Sequence, residues 1–596
     1  MALYMITWIA LAAQPENLLA NPDFLHDLDS WSRHPADTRA AVVDTPSGKV
    51  LRLEVDDPEE VTWRHVFQGL PAGPGMMFRA AAEGRGENVR VGHGLYLSIA
   101  FYDADNRRIA HNDAAIQPGL EGWTVMTARG RAPEGTARAG LLLLLHGRGR
   151  AEFRNVRLTR LPDRAHAPTA DCAEITVTQE KTCEALIGFG AEDDGWFYNR
   201  ENAARGADDA AIALREARIE WMRPDYVRMF FWYNDWNPSL DAETFTWDSD
   251  NMLSHYRTLN LYQRIGARVN VTGVEWAVEN PWGNPERLAK AIGVLLDHLI
   301  KTKGYTCVQD WTLTNEPNLF YIKSGESFEK FVRMHQLVAG EIKARGLKVN
   351  IVGSDDGDGE IWFAHCVKDD DYFAVCDLFA SHFYLHQSAL PFAGDLFRDR
   401  IAMLAARAPR KPFIVAEFGL MDERTQPPDK NPYMEEYPYA LWSQACFIDG
   451  LNAGVAGFVT WCIHEMYYPG GRTPMRFGLW NFGDRGWSVR PIYHVVAAFT
   501  RNTRAGDPVW RCDSTQPDWV KAVHAGDTLF WVNLADRPME IHVHGFQAES
   551  VRIMTEETLE GDRECGTLIP WGDGRFTAPP KSLGYARQDG MRNVEL

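Results

Sequence analysis

The chain has 596 residues, enough for two to four domains, and its 45% hydrophobic and 24% charged content supplies a globular core. Acidic residues outnumber basic ones by 81 to 62, for a net charge of −19, which disfavours nucleic acid and anionic membrane surfaces as partners and suits a neutral substrate. No stretch is long enough to span a bilayer, so membrane insertion is not expected.

Residues 1–14 carry a short apolar run that ends in Ala10-Leu11-Ala12-Ala13. This has the form of the later part of a secretory signal, without a basic start; the expectation is a signal remnant or a disordered tail, and a secreted or periplasmic protein. From 15 to 162 the pattern is short strands with turn signals. "GLYLSIAFYDADNRRIAH" alternates and breaks at Asp103–Asn106 in a hairpin signal, and "AEFRNVRLTRL" alternates again. These features predict an all-β sandwich, followed by a Pro/Ala/Asp linker at 163–174.

Residues 175–504 alternate strands with helices. In "NPERLAKAIGVLLDHLIKTKG" Asn284 caps a helix, Pro285 suits its first turn, Leu288, Ile292, Leu295 and Leu299 form a stripe, and Gly304 closes it. "SFEKFVRMHQLVAGEIKARG" repeats the logic, with Phe331, Met334, Val338 and Ile342 as the stripe and Gly346 as the stop. Eight apolar strands fall between helices, which fits a (β/α)₈ barrel, with a doubly wound sheet as the other arrangement compatible with the alternation. Ile175–Gln179 alternates ahead of the first barrel strand and is expected to pair with the C-terminal β-domain, in the residues after Ala505. Residues 505–596 return to strands. "DTLFWVNL" and "MEIHVHGF" alternate on either side of the turn "ADRP", which predicts a small C-terminal β-sandwich. The fold class is therefore α/β, a barrel flanked by two β-sandwiches.

A barrel places its chemistry at the C-terminal ends of its strands. Those ends carry, in order, Asp193 and Asp194; Arg228 and Trp232; Glu275 and Trp276; Asn315 and Glu316; Asp355 and Asp356; His382 and Tyr384; Glu417; and Trp461 with Glu465. Glu275, Asp355 and Glu465 read as solvated loop acids. His542 and His544 share a strand face, as metal ligands do, and read as solvent-facing. The nine cysteines form no CxxC; Cys172/Cys183 and Cys512/Cys565 are the pairings open to an exported chain.

Glu316 in "TNEP" and Glu417 in "IVAEFG" resemble the acid/base and nucleophile of glycoside hydrolase clan A, the retaining (β/α)₈-barrel glycosidases. The "HFY" of the sixth strand falls at a place that matches the clan, "NEPNLF", "FGLW" and "VRPIYHVVAAF" are similar to family 39, and "GFGAEDD" together with the β-domain after the barrel is similar to families 30 and 5. The resemblance implies β-glycoside hydrolysis by double displacement on a glycan substrate, with no cofactor and no metal. It implies that Asn315 binds the sugar 2-hydroxyl, that Arg228 and Tyr384 stabilise ionised Glu417, and that Trp461 floors the reacting sugar, with His382, Trp276 and Trp232 as further substrate contacts. A transglycosylase using the same residues, or a carbohydrate-binding protein on a dead barrel, are the alternatives; loss of either carboxylate favours the last, and both are present. "NLLANPDFLHDLDSW" and "AEFRNVRLTRL" resemble the opening and closing strands of carbohydrate-binding jelly rolls of families 4, 16 and 22, with Trp63, Tyr96 and Trp123 as candidate sugar platforms or core aromatics.

Overall fold

A computed structural model describes residues 16–56, 62–120, 122–164, 167–239, 243–275, 281–421 and 431–588. The signal-like segment 1–14 lies outside them. No helix among the described residues is long and apolar enough to cross a membrane. The chain divides into two compact units, one ending at Asp163 and one centred on Arg164–Leu596.

The first unit is an antiparallel eight-stranded sheet system. Five strands run in the order Ser32–His34, Trp63–Pro71, Arg138–Arg160, Gly48–Val55 and Arg39–Thr45, while Met77–Tyr102 pairs with Arg108–Ile116 and Thr124–Arg131. The hairpin read at Asp103–Asn106 is formed: Asp103 Oδ1 accepts from the Asp105 and Arg107 amides at 2.9 Å each. The two ends of the unit are stitched by Asn17, which donates to the Val156 carbonyl and accepts from the Leu158 amide, both at 3.0 Å. Of the three candidate platforms, Trp63 is 45% exposed and leans on Tyr96, ring to ring at 5.2 Å. Trp123 differs, because the Arg154 and Arg85 guanidiniums lie over its ring at 4.1 and 5.0 Å and take the position that a stacked sugar needs.

The second unit holds eight parallel barrel strands: β1 (Gly188–Ala191), β2 (Tyr226–Trp232), β3 (Arg268–Val274), β4 (Val308–Thr312), β5 (Asn350–Gly357), β6 (Leu378–His386), β7 (Phe413–Met421) and β8 (Gly457–Thr460). They are paired in the order β1-β8-β7-β6-β5-β4-β3-β2. A parallel bridge between Glu192 and Arg228 joins β1 to β2 and closes the cylinder, which removes the doubly wound alternative. The strands are apolar runs because helices cover them from outside. The helix Pro285–Asp297 starts where Asn284 accepts from the Arg287 amide, and a π turn, His298–Thr302, extends it towards Gly304 at φ +80°. Phe328–Ala344 is capped by Ser327 and buries the stripe predicted for it.

The expected strand Ile175–Gln179 lies inside Cys172–Cys183, so the last residues assigned to the linker are already strand. It belongs to a nine-stranded sheet with the C-terminal region: Val177 faces Cys512 antiparallel, and His542 faces Glu174 in parallel. The sequence places "DTLFWVNL" and "MEIHVHGF" on either side of one turn, but Thr528–Asn533 and Met539–His544 are not paired. Thr528–Asn533 is buried throughout, since the barrel helix Tyr437–Ala453 covers one face, with Gln444 Nε2 donating to the Trp531 carbonyl at 2.7 Å. All nine cysteines are free thiols. Cys172 and Cys183 sit at opposite ends of one 12-residue strand, roughly 35 Å apart at strand rise and far beyond disulfide reach. His542 and His544 are not simply solvent-facing. Glu174, on the neighbouring strand, accepts from His542 Nδ1 at 2.9 Å and His544 Nε2 at 2.5 Å.

Barrel closure rests on a missing side chain. A Cβ at Gly190 would collide with the Tyr226 carbonyl oxygen where β1 meets β2, whereas one at Gly340, in the helix Phe328–Ala344, would meet nothing within 4 Å. In urea denaturation Gly190→Ala is expected to destabilise the protein by about 2 kcal/mol or more, and Gly340→Ala to stabilise it by about 0.5–1 kcal/mol. Equal effects at the two positions would contradict this account of closure.

Candidate active site

The strand ends converge on one buried guanidinium. Arg228, on β2, is fully buried. Its Nη1 donates to Glu192 Oε2 at 2.9 Å and Glu417 Oε1 at 2.6 Å, and its Nη2 donates to Asn315 Oδ1 at 2.9 Å and Asp355 Oδ2 at 2.7 Å. One side chain thus ties together residues at the ends of β1, β4, β5 and β7. With Asn315 Oδ1 committed to Arg228, its Nδ2 is the group left to address a ligand.

Glu417 receives a second donor on its other oxygen, Tyr384 Oη at 2.6 Å. His382, two residues before Tyr384 on β6, points Nδ1 at Glu316 Oε1 from 3.1 Å and lies 3.5 Å from Glu417 Oε2, with Asp355 Oδ1 3.3 Å from its Nε2. Burial opposes a charge on His382, but Glu417 and Asp355 outweigh it and hold the imidazolium well above its ordinary range. Burial pushes the Glu417 carboxyl up, His382 and Arg228 draw it down, and Glu316 and Glu192 push it up again, leaving it at about 7. An oxygen of Glu316, an oxygen of Glu417 and a ring nitrogen of His382 lie within 4.8 Å of one another.

A His and two carboxylates also have the composition of a divalent-cation site. Both oxygens of Glu417 already face donors, Oε1 the Arg228 guanidinium and Oε2 the Tyr384 hydroxyl, so one of the three candidate ligands is committed to the protein's own groups.

Glu316 follows β4 with φ +43°, and Ser354, Asp355 and Asp358 at the end of β5 also have left-handed backbones, at φ +66°, +52° and +50°. Such conformations cost about 1–3 kcal/mol each and gather where a structure holds groups for a task. The Glu316 carbonyl accepts from the Leu319 and Phe320 amides at 2.8 and 2.9 Å. The turn that contains Pro317 therefore leaves the strand directly behind the carboxyl.

The aromatic residues form a wall. Trp461 at the end of β8 is 7% exposed and belongs to a cluster with Trp196, Phe230 and Val274, against which Trp232, Tyr384, Tyr468 and Phe477 pack. Trp232 meets Trp196 edge to face at 4.9 Å. Trp276 lies outside the described residues.

Three acids read as solvated loops are buried. Asp355 is an Arg228 partner; burial opposes its charge, yet Arg228 and His382 keep its carboxyl below its ordinary value. Glu465 is paired with Arg476 at 2.6 Å and with Arg490, bracing the loop after β8. Glu275 accepts from Thr314 Oγ1 at 2.7 Å, and burial lifts its carboxyl to about 7. Glu192, absent from the sequence-derived set, is the fourth acceptor of Arg228. Its only sequence signal is its place beside Asp193 and Asp194 at the end of β1.

No family model and no curated protein matches the sequence. Solved structures do. SrfJ from Salmonella typhimurium aligns with TM-score 0.50 and 14% identity over 72% of this chain and 95% of its own. A conserved exported protein from Bacteroides fragilis aligns with TM-score 0.52 and 12% identity over 69% and 99%. These two likenesses establish a shared barrel fold. A GH39 β-xylosidase from Caulobacter crescentus aligns with TM-score 0.48 and 14% identity over 70% and 100%.

The electrostatics can be checked without any substrate. The His382 cation lowers the Glu417 carboxyl, so His382→Gln is expected to raise its titration midpoint by about one pH unit. Carbon-13 NMR of glutamate-labelled protein, with the Glu417 signal assigned by its loss in Glu417→Gln, measures this. An unmoved midpoint would show that His382 carries no charge there.

Proposed function

We propose that this chain is a retaining glycoside hydrolase of clan A that cleaves β-linked glycans by double displacement. The observation that carries the reading is the pair of carboxylates at the ends of β4 and β7, with oxygens of Glu316 and Glu417 within 4.8 Å of one another. Retaining enzymes need about 5–5.5 Å between the two carboxyl groups, whereas inverting enzymes leave about 6.5–9.5 Å to admit a water.

In this reading Glu417 is the nucleophile. Arg228 and Tyr384 fix its two oxygens and stabilise the carboxylate that attacks the anomeric carbon. Glu316 protonates the departing glycosidic oxygen, then removes a proton from the water that releases the sugar. Asn315 Nδ2 binds the hydroxyl beside the anomeric carbon, a contact that strengthens as positive charge develops there. Trp461 and Trp232 supply apolar faces for the sugar rings. The signal-like start, together with the likeness to a chain named an exported protein, supports action outside the cytoplasm on polysaccharide fragments. Exposed Trp63 beside Tyr96 on the first unit makes that unit the candidate for glycan binding.

Azide discriminates the two glutamates. On a panel of activated aryl β-glycosides, Glu417→Ala is expected to lose several orders of magnitude in rate. Azide then enters the vacated space and gives the inverted glycosyl azide. Glu316→Ala is expected to keep the first step, show a burst as the intermediate accumulates, and yield the azide product of retained configuration. A retained product from Glu417→Ala, read by proton NMR, would mean that the roles are reversed.

A further inference from the structure

Between Glu316 and the helix Glu360–Lys368 the chain makes a tight turn, Asp356-Gly357-Asp358-Gly359, that is held at each corner. Asp356 Oδ2 accepts from the Gly359 amide at 2.9 Å, and Asp356 Oδ1 is anchored by the hydroxyls of Ser354 and Ser381 at 2.6 and 2.7 Å. The side chain of Asn318, two residues after Glu316, clamps the backbone of Gly357 with a pair of 2.9 Å bonds, one to its carbonyl and one from its amide. A Cβ at Gly357 would lie 2.5 Å from Glu316 Oε1, so the turn backs directly onto the carboxyl. The Asp358 amide reaches the His382 carbonyl at 3.4 Å, and Asp358 sits at φ +50°.

This turn is overdetermined, and its product is one exposed side chain. Asp358 is exposed, unlike Asp355 and Asp356. Among the described residues its carboxylate has no hydrogen-bond or ion-pair partner. It lies close enough to Glu316, Asp356, His386 and Arg400 to feel their charges, and the surrounding walls lift its carboxyl to about 7. Asp358 holds this place on a left-handed backbone, a conformation kept where a structure positions a group for a task.

We propose that Asp358 is a specificity-determining residue for the leaving group, its carboxylate accepting hydrogen bonds from hydroxyls of the sugar on the far side of the scissile bond. The inference rests on the role of Glu316 proposed above. The acid must stand beside the departing oxygen, and the residue that follows Gly357, whose turn backs onto that acid, then faces the departing residue. A carboxylate with both oxygens open matches a pair of neighbouring sugar hydroxyls. An aryl leaving group has no such hydroxyls, so it gains nothing from this contact. The chemistry selects a hydroxyl-rich leaving group, and hence an oligosaccharide rather than a glycoside of an apolar alcohol.

The test compares leaving groups on one glycone. For wild type, Asp358→Ala and Asp358→Asn, kcat/KM is measured on a disaccharide and on the aryl glycoside of the same sugar. Asp358→Ala is expected to lower kcat/KM on the disaccharide by about ten- to a hundredfold and to leave the aryl glycoside within about twofold. Asp358→Asn, which retains one acceptor oxygen, is expected to fall between. Equal losses on both substrates would place Asp358 with the general electrostatics of Glu316 and overturn the proposal, as would no loss on either. Wild-type protein inactive on every glycoside would instead refute the glycosidase reading itself.

Discussion

Arg228 is the interaction on which both the barrel and its site depend. Its backbone bridges to Glu192 where β1 meets β2 and closes the cylinder. Its guanidinium, with no exposure to water, is shared among Glu192, Glu417, Asp355 and Asn315. Burying a charge without partners is costly, and removing one member of a buried pair leaves the others stranded at about 3–5 kcal/mol. Here three carboxylates would be stranded together. A lysine could not replace it, because the four acceptors are met by a planar fork with donors at fixed angles. The fold therefore cannot close as it does without also assembling the site.

From that hub the charges are layered. Behind Arg228, burial pushes the Glu192 carboxyl well up and that of its neighbour Asp194 to about 7, with Tyr468 donating to Asp194 at 2.5 Å. In front of it, His382 lies among Glu316, Asp355 and Glu417 and is held as a cation by the acids it separates. Two like-charged carboxyls within 4.8 Å would repel one another in a site of low polarity. A cationic imidazole between them, a guanidinium behind one and a phenol on its second oxygen give each carboxyl different surroundings. The proposed division of the pair into acid and nucleophile needs such an asymmetry.

Much of this was legible in the sequence, for physical reasons. The apolar runs could be read as barrel strands because helices bury their outer faces and the barrel interior buries their inner ones. The polar residues that end those runs were conspicuous, and the structure gathers Arg228, Asn315, Glu316, His382, Tyr384 and Glu417 into one constellation. The helix ends were equally plain, since Asn284 and Ser327 cap as short polar side chains do. Partnerships between distant segments were not legible. Glu465 has the sequence context of a loop acid, and only the return of Arg490 buries it. Glu174 lies 368 residues from His542, and a parallel pairing brings them together. Asp358 sits in a Gly-Asp-Gly stretch that reads as an ordinary turn. Its significance appears only when Asn318 and Asp356 fix that turn against Glu316.

The central claim is that Glu417 forms a covalent bond to the sugar. Incubation with 2-deoxy-2-fluoro β-glycosides bearing a good leaving group slows both steps and the second more than the first, so a retaining enzyme accumulates its glycosyl intermediate. Intact-mass spectrometry followed by peptide mapping is the most direct measurement. The account predicts a single fluoroglycosyl adduct, on the peptide containing "FIVAEFG" and on Glu417 within it. An adduct on Glu316 or another carboxylate, or turnover of the parent glycosides with no adduct from any fluorinated analogue, would contradict it.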